Sequence, residues 1–324
     1  MIEFLGIVLV LLDATVRVAT PLVLAAFAGM VAERSGVIDI GLEGKMLAAA
    51  FAAAAAAAAW HSAWVGLAAG VGVSIALACL HAYACVTHNG NQVVSGMAIN
   101  ILVAGLGPTL AIAWFGLGGQ TPSLDGAARF VGFALPMSEL LAGVPLIGPL
   151  YAEVVSGHNV IVYLTIGLVP VVAILIYRTR FGLRLRAVGE NPHAADTAGV
   201  PVAAMRYQAM IVTGLLCGIA GAYLSTAHSA GFVRDMTAGK GYLALAAMIF
   251  GKWRPVPTVL ACLLFAFADA LQIRLQGVAI PGLGQIPVQL IQALPYALTV
   301  ILLAGFVGRA VAPKASGIPY VKDT

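Results

Sequence analysis

Apolar residues fill the chain in runs long enough to cross a bilayer, and polar residues collect in the gaps between them. Runs at 16–32, 43–59, 64–86, 92–115, 159–177, 205–227, 238–251, 256–275 and 287–307 predict spanning helices. A shorter apolar run, Phe4–Leu12, follows Glu3 instead of a basic flank and is interrupted by Asp13 and Arg17. It predicts an uncleaved helical start, tilted or interfacial. The pattern predicts an all-α integral membrane protein, a polytopic bundle with room for about eight to ten transmembrane helices.

Two polar gaps are longer than connections require. Residues 116–157 carry Pro122, Pro136, Pro145 and Pro149 among several glycines and predict a long loop with a helix lying at the interface. The stretch "RTRFGLRLRAVGENPHAADTAGVPV" (178–202) separates the two hydrophobic halves. Asn191 is placed to cap a helix with Pro192 at its first position; His193–Ala198 supply a turn or two, and Gly199 and Pro201 stop it. Two readings stand: a docking knob, or a solvated loop with ordinary charges. Arg178, Arg180, Arg184, Arg186 and Arg206 place this loop in the cytoplasm, and Arg309, Lys314 and Lys322 place the tail there. Four predicted spans separate the two, an even number, which agrees.

Composition sharpens the class. The chain is 324 residues long, 61% hydrophobic and 9% charged, with a mean hydropathy of +0.99. A soluble domain carries about 25% charged residues, so this chain would not cover a water-facing surface. A net charge of +4 from few, clustered basic residues gives no reason to expect nucleic acid. Cys79, Cys85, Cys217 and Cys262 lie scattered in apolar runs without CxxC spacing, so no metal site is predicted. His61, His81, His88, His158, His193 and His228 are equally scattered. No HExxH, partnered GxSx serine or facing aspartate pair occurs, and no catalytic residue is assigned.

The halves resemble each other weakly. "GLEGKMLAAAF" (41–51) and "TAGKGYLALAAM" (237–248) each put a glycine-rich charged turn before a small-residue helix. A duplicated unit running in opposite senses, about 16–115 and 205–307, fits the inverted repeats of transporters, with broken helices at the turns. Those turns are Gly36, Asp39, Gly41, Glu43 and Gly44, followed by Lys45, in the first half and Gly239, Lys240 and Gly241 in the second. An uncompensated charge in lipid costs at least ~2.5–3.5 kcal/mol, so these residues face protein or water, unless the turns lie at the interface. The near-continuous alanine of 48–59 either allows close helix approach or reflects compositional drift. In span 92–115, Gln92, Gly96 and Asn100 recur at four-residue spacing with Ser95 beside them, giving one polar face. Asp269 and Gln272, then Gln289 and Gln292, are comparable. Each either lines a translocation path or bonds helix to helix.

Five segments, in order, carry a resemblance over nearly the whole chain: "ERSGVIDIGLEGKML" (33–47), "QVVSGMAINILVAGLGP" (92–108), "LRAVGENPHAADTAG" (185–199), "GKGYLALAAMIFGKWRP" (239–255) and "LPYALTVILLAGFVGRAVAPKASGIPY" (294–320). The chain resembles ABC importer permeases of the branched-chain amino acid and simple-sugar class, and within it the permeases of nucleoside importers. Asp39 and Lys45 depart from the pattern, which has asparagine and an apolar residue there.

The resemblance implies a single permease domain over 1–324 in the bacterial cytoplasmic (inner) membrane. It would have a periplasmic loop at 116–157, a cytoplasmic coupling loop at 178–204 and a cytoplasmic tail at 308–324. It implies a homologous second permease forming a hetero-pair, two ATPase subunits or a fused tandem, and an extracytoplasmic substrate-binding protein. This chain has no Walker A pattern, so ATP belongs to the partners and no cofactor is expected here. The implied ATPase contact is Arg186, Gly189, Glu190, Asn191, Ala194, Ala195, Asp196 and Gly199, with Ala198 beside them. Nucleosides are the implied cargo; a simple sugar or branched-chain amino acid by the same mechanism, and an ion-coupled secondary transporter, are the alternatives.

Overall fold

The computed structural model describes residues 2–136, 147–276 and 310–322, with isolated positions in the stretches between. Helix α1 (Ile2–Arg34) is followed by α2 (Leu42–Trp60), α3 (Ala63–Ala82) and α4 (Gln92–Phe115). A short α5 (Ile147–Leu150) precedes α6 (Val160–Arg178), α7 (Arg180–Glu190), α8 (Pro192–Thr197) and α9 (Val202–Tyr223). Then come α10 (Lys240–Phe250) and α11 (Pro255–Leu275). Two-residue strands, β1 (Ala279–Ile280) and β2 (Gly284–Gln285), pair antiparallel.

Among the described residues seven helices are long and apolar enough to cross a membrane. They match seven of the nine predicted runs. The run at 238–251 differs: its helix is the 11-residue α10, about 16 Å long, which does not span a bilayer alone, so four full spans do not separate the 178–204 loop from the tail as expected. The run at 287–307 lies almost entirely outside the described residues. The predicted separate start is instead continuous with the first span. Asp13 and Arg17 pair at 3.1 Å one turn apart, so both charges fit within one helix. In 116–157 the described helical pieces are a 3-10 turn at Gly126–Ala128, α5 and a π turn at Tyr151–Val155.

Side-chain caps explain where several helices begin. The Asn91 carboxamide oxygen accepts from Val94 N at 3.0 Å, that of Asn159 from Ile161 N at 3.1 Å, and the Thr179 hydroxyl from Gly182 N at 3.0 Å; each satisfies an amide with no partner inside its helix.

Helix α2 lies at the centre, between α3, α4 and α9. Its alanines permit that: Ala49, Ala53, Ala54 and Ala57 are wholly buried. A Cβ on Gly66 of α3 would sit 2.6 Å from the Ala53 carbonyl oxygen, and one on Gly221 of α9 2.1 Å from that of Met46. The alanine run is therefore a packing surface that lets backbones meet. Trp64, Ile101, Trp114, Ile166 and Leu260 lie exposed on the outside of the bundle, as lipid requires.

Candidate functional site

Each half of the molecule contains a break between successive helices, α1 to α2 and α9 to α10, and the breaks meet. The first is the turn from Ser35 to Gly41, entered through Gly36 at φ +87, a left-handed conformation that a side chain resists. Its polar groups are held by α3 and α4. Gln92 Oε1 accepts from Ile38 N at 2.6 Å. His81 Nε2 lies 3.1 Å from the Ile38 carbonyl oxygen, so in the neutral ring it carries the proton, and Nδ1 accepts from the Ser95 hydroxyl at 3.0 Å. Asp39 accepts from Gly41 N at 3.0 Å and pairs with Lys45, both side chains wholly buried. The Lys45 ammonium and the Gly41 amide compensate the buried Asp39 carboxylate directly. The two departures from the family pattern thus neutralise each other.

The second break is the segment between α9 and α10. It turns through Asp235 (φ 55), Ala238 (φ 46) and Gly239 (φ 80) before α10 begins. The first half caps it. Glu43, in the first turn of α2, accepts from Gly239 N at 2.8 Å and from Gly241 N at 2.6 Å. A carboxylate at a helix N-terminus is favoured by the unpaired amides and the helix dipole. Asn100 adds a second tie: its Nδ2 donates to the Ile40 carbonyl at 3.0 Å and to the Tyr242 hydroxyl at 2.8 Å, and its Oδ1 accepts from Gly44 N at 2.8 Å. A cavity of about 560 Å³ elsewhere is almost wholly apolar, between α2, α3 and α4. The one at this junction is smaller, about 320 Å³, and polar groups of Glu43, Asn100, Thr237 and Tyr242 border it.

The polar face predicted on α4 therefore divides. Gln92 and Gly96 are buried against the first turn, Ser95 faces His81, and Asn100 reaches the cavity. Asp269 and Gln272 are half-buried on α11 and Gln289 is exposed; none of the three borders the cavity. Gln292 lies outside the described residues. His81 and the role of Lys45 were missed: an isolated histidine in an apolar run and a lysine six residues from its partner have no local signature.

The polar stretch after α6 holds two helices instead of one. Helix α7 is amphipathic and arginine-rich, buries Leu185 and Val188, and was not anticipated. Asn191 caps α8 as expected, accepting from Ala194 N at 3.0 Å, with Pro192 leading the helix. Glu190, Asn191, Ala194, Ala198 and Gly199 are exposed and Asp196 is half-buried, whereas Gly189 and Ala195 point inward. A Cβ on Gly189 would sit 2.3 Å from the Arg34 carbonyl oxygen, so this glycine serves the join with α1. Arg186 lies over the Tyr177 ring at 5.3 Å. Arg206 departs from the expected loop charge: it is 1% exposed and donates to the carbonyls of Ser35 at 3.3 Å and Ile318 at 3.2 Å. The tail lies against these same helices, through Ala315 N to the Gly189 carbonyl at 2.9 Å.

A bundle of spanning helices, interrupted twice at one internal junction and carrying a capped helix pair at one end, is the build of a transport permease. Residues 11–303 match the family described as the branched-chain amino acid transport system permease component, and the chain belongs to that family. It is similar to the guanosine ABC transporter permease protein NupQ of Bacillus subtilis, at 37% identity over 99% of each chain. The nucleoside ABC transporter permease protein NupC of Lactococcus lactis is 35% identical over 94% of each. A putative glucose ABC transporter permease protein of Haloferax volcanii is 37% identical over 83% of this chain and 79% of its own. This chain is thus a multi-pass membrane component of a transport system, not an enzyme, and works with further subunits.

Proposed function

We propose that this permease imports nucleosides, drawing on ATP hydrolysed by partner subunits. The observation that carries the reading is likeness along the whole chain to two permeases named for guanosine and nucleoside transport. A nucleoside is uncharged and rich in hydrogen-bonding groups, and amide and hydroxyl groups border the junction cavity beside Glu43. We place the path there, with Asn100 and Tyr242 nearest the cargo. The glucose relative supports a sugar as the second reading.

The same reading assigns α8 and its exposed neighbours Glu190, Ala194 and Ala198 to contact with a cytoplasmic ATPase. It puts the 178–204 segment and the tail in the cytoplasm, the chain in the bacterial inner membrane, and 116–157 toward a substrate-binding protein. A homologous second permease completes the path, and two ATPase subunits or a fused tandem drive it. The chain itself binds no cofactor, and its halves are inverted repeats.

The test is uptake by proteoliposomes holding the assembled transporter. ATP should drive accumulation of labelled guanosine or uridine, and unlabelled glucose or leucine should not compete. Competition by glucose promotes the sugar reading. Accumulation by this chain alone under an ion gradient overturns the ATP-driven mechanism.

A further inference from the structure

The tail, residues 310–322, makes contacts that a plain terminal extension does not need. Pro313 and Ala315 are buried. Ala315 N donates to the carbonyl of Gly189 at 2.9 Å, and two residues on Gly317 N donates to the carbonyl of Gly36 at 3.1 Å. The same short turn therefore bonds the C-terminal end of α7 and the entry of the first broken-helix turn. Arg206, at the start of α9, locks the arrangement: it holds Ser35 on one side and Ile318 on the other. Farther along, Tyr320 stacks edge-on against His193 at 5.1 Å, and Lys322 lies 3.9 Å from Asp196, both on α8.

We propose that this strap is a positioning element of the transport cycle, linking the α7–α8 pair to the first broken-helix turn. Because Gly36 opens the turn that ends at α2, a displacement of α7 and α8 acts through the strap on the helix whose Glu43 caps α10. No charged side chain is required at the two central contacts; both are backbone bonds, so the link is stiff and short. Gly317 is the weak point on which to act. It has φ +78, and a Cβ there would sit 2.8 Å from the Ile38 side chain. The inference rests on the reading of α8 as the ATPase contact, and the two are separable.

Three variants of the full transporter test it: deletion of 310–324, Gly317→Val, and Glu190→Lys as the control for ATPase docking. The strap variants should reach the membrane and retain the ATPase on co-purification. ATP hydrolysis should continue while substrate imported per ATP falls, at least tenfold for the deletion and about threefold for Gly317→Val. Glu190→Lys should instead weaken co-purification. Normal import per ATP in both strap variants overturns the strap's role, as does loss of the ATPase from them, which makes the strap a docking surface. Failure of both to accumulate makes it a folding element and overturns it equally. Normal docking and import in Glu190→Lys removes the underlying reading of α8, leaving the strap results to stand by themselves.

Discussion

The two broken-helix turns do similar jobs with different material. The first, 35–41, is held on three sides: Gln92 and Asn100 from α4, His81 from α3, and the buried Asp39–Lys45 pair. The second, before α10, exposes Arg234 and Asp235 and carries residues other than glycine in the left-handed region. Some of its support comes from outside its own half, since Glu43 caps it, and Thr121 and Leu124 of the long loop donate to its Phe232 and Ala230 carbonyls at 3.1 and 2.9 Å. A socket of buried groups tied by several hydrogen bonds is stiff, while a strained and solvated segment opens at lower cost. The contrast makes the first turn the stiffer side of the junction, able to pass on a displacement as one body, and the second the softer side.

The largest break in that contrast comes from Lys45→Met. It leaves a carboxylate buried without its partner, which costs about 3–5 kcal/mol, and the purified protein should unfold at a visibly lower temperature. Asp39→Asn added to Lys45→Met removes both charges and should recover most of the loss. If the double variant is as unstable as the single, the ion pair is not what holds the turn.

Next in size is Glu43→Ala. The Gly239 and Gly241 amides lose a charged acceptor, worth about 1.5–3 kcal/mol, and the loss should fall on the second turn alone. Amide hydrogen exchange should accelerate at 239–243 and stay slow at 35–41. Equal acceleration in both would erase the distinction between a stiff and a soft side.

Tyr242→Phe deletes one neutral bond to Asn100, about 0.5–1.5 kcal/mol. Import should change more than thermal stability does. Unchanged import would take Tyr242 off the path. Smallest is Arg234→Ala: its partner Asp235 is 3.5 Å away, but the side chains are 73% and 65% exposed, so stability should move by no more than about 0.5 kcal/mol. A larger fall would show that the second turn is less free than its exposure indicates.

Much of the architecture was legible because lipid imposes a local rule: a span is apolar over its own length, and its ends carry caps. Seven spans and the Asn191–Pro192 helix start follow from stretches of a few dozen residues or fewer, and the family from five such stretches in order. The length of α10 was not, since an apolar run has no mark for the point where a helix begins at depth. Nor was α7, whose arginines look like those of any loop beside a membrane. In the sequence Gly189 and Ala195 group with their exposed neighbours, because the helix phase of so short a segment is ambiguous. The sequence alone determined the solvent, the helical class and the family, since each depends on composition and order along the chain. Only the tertiary structure decided that Glu43 caps a helix 196 residues away, that Asp39 and Lys45 cancel, and that the tail ties α7 to Gly36. Those pairings depend on which surfaces close packing brings together, and a polar residue's own neighbourhood in sequence does not say which distant group will satisfy it.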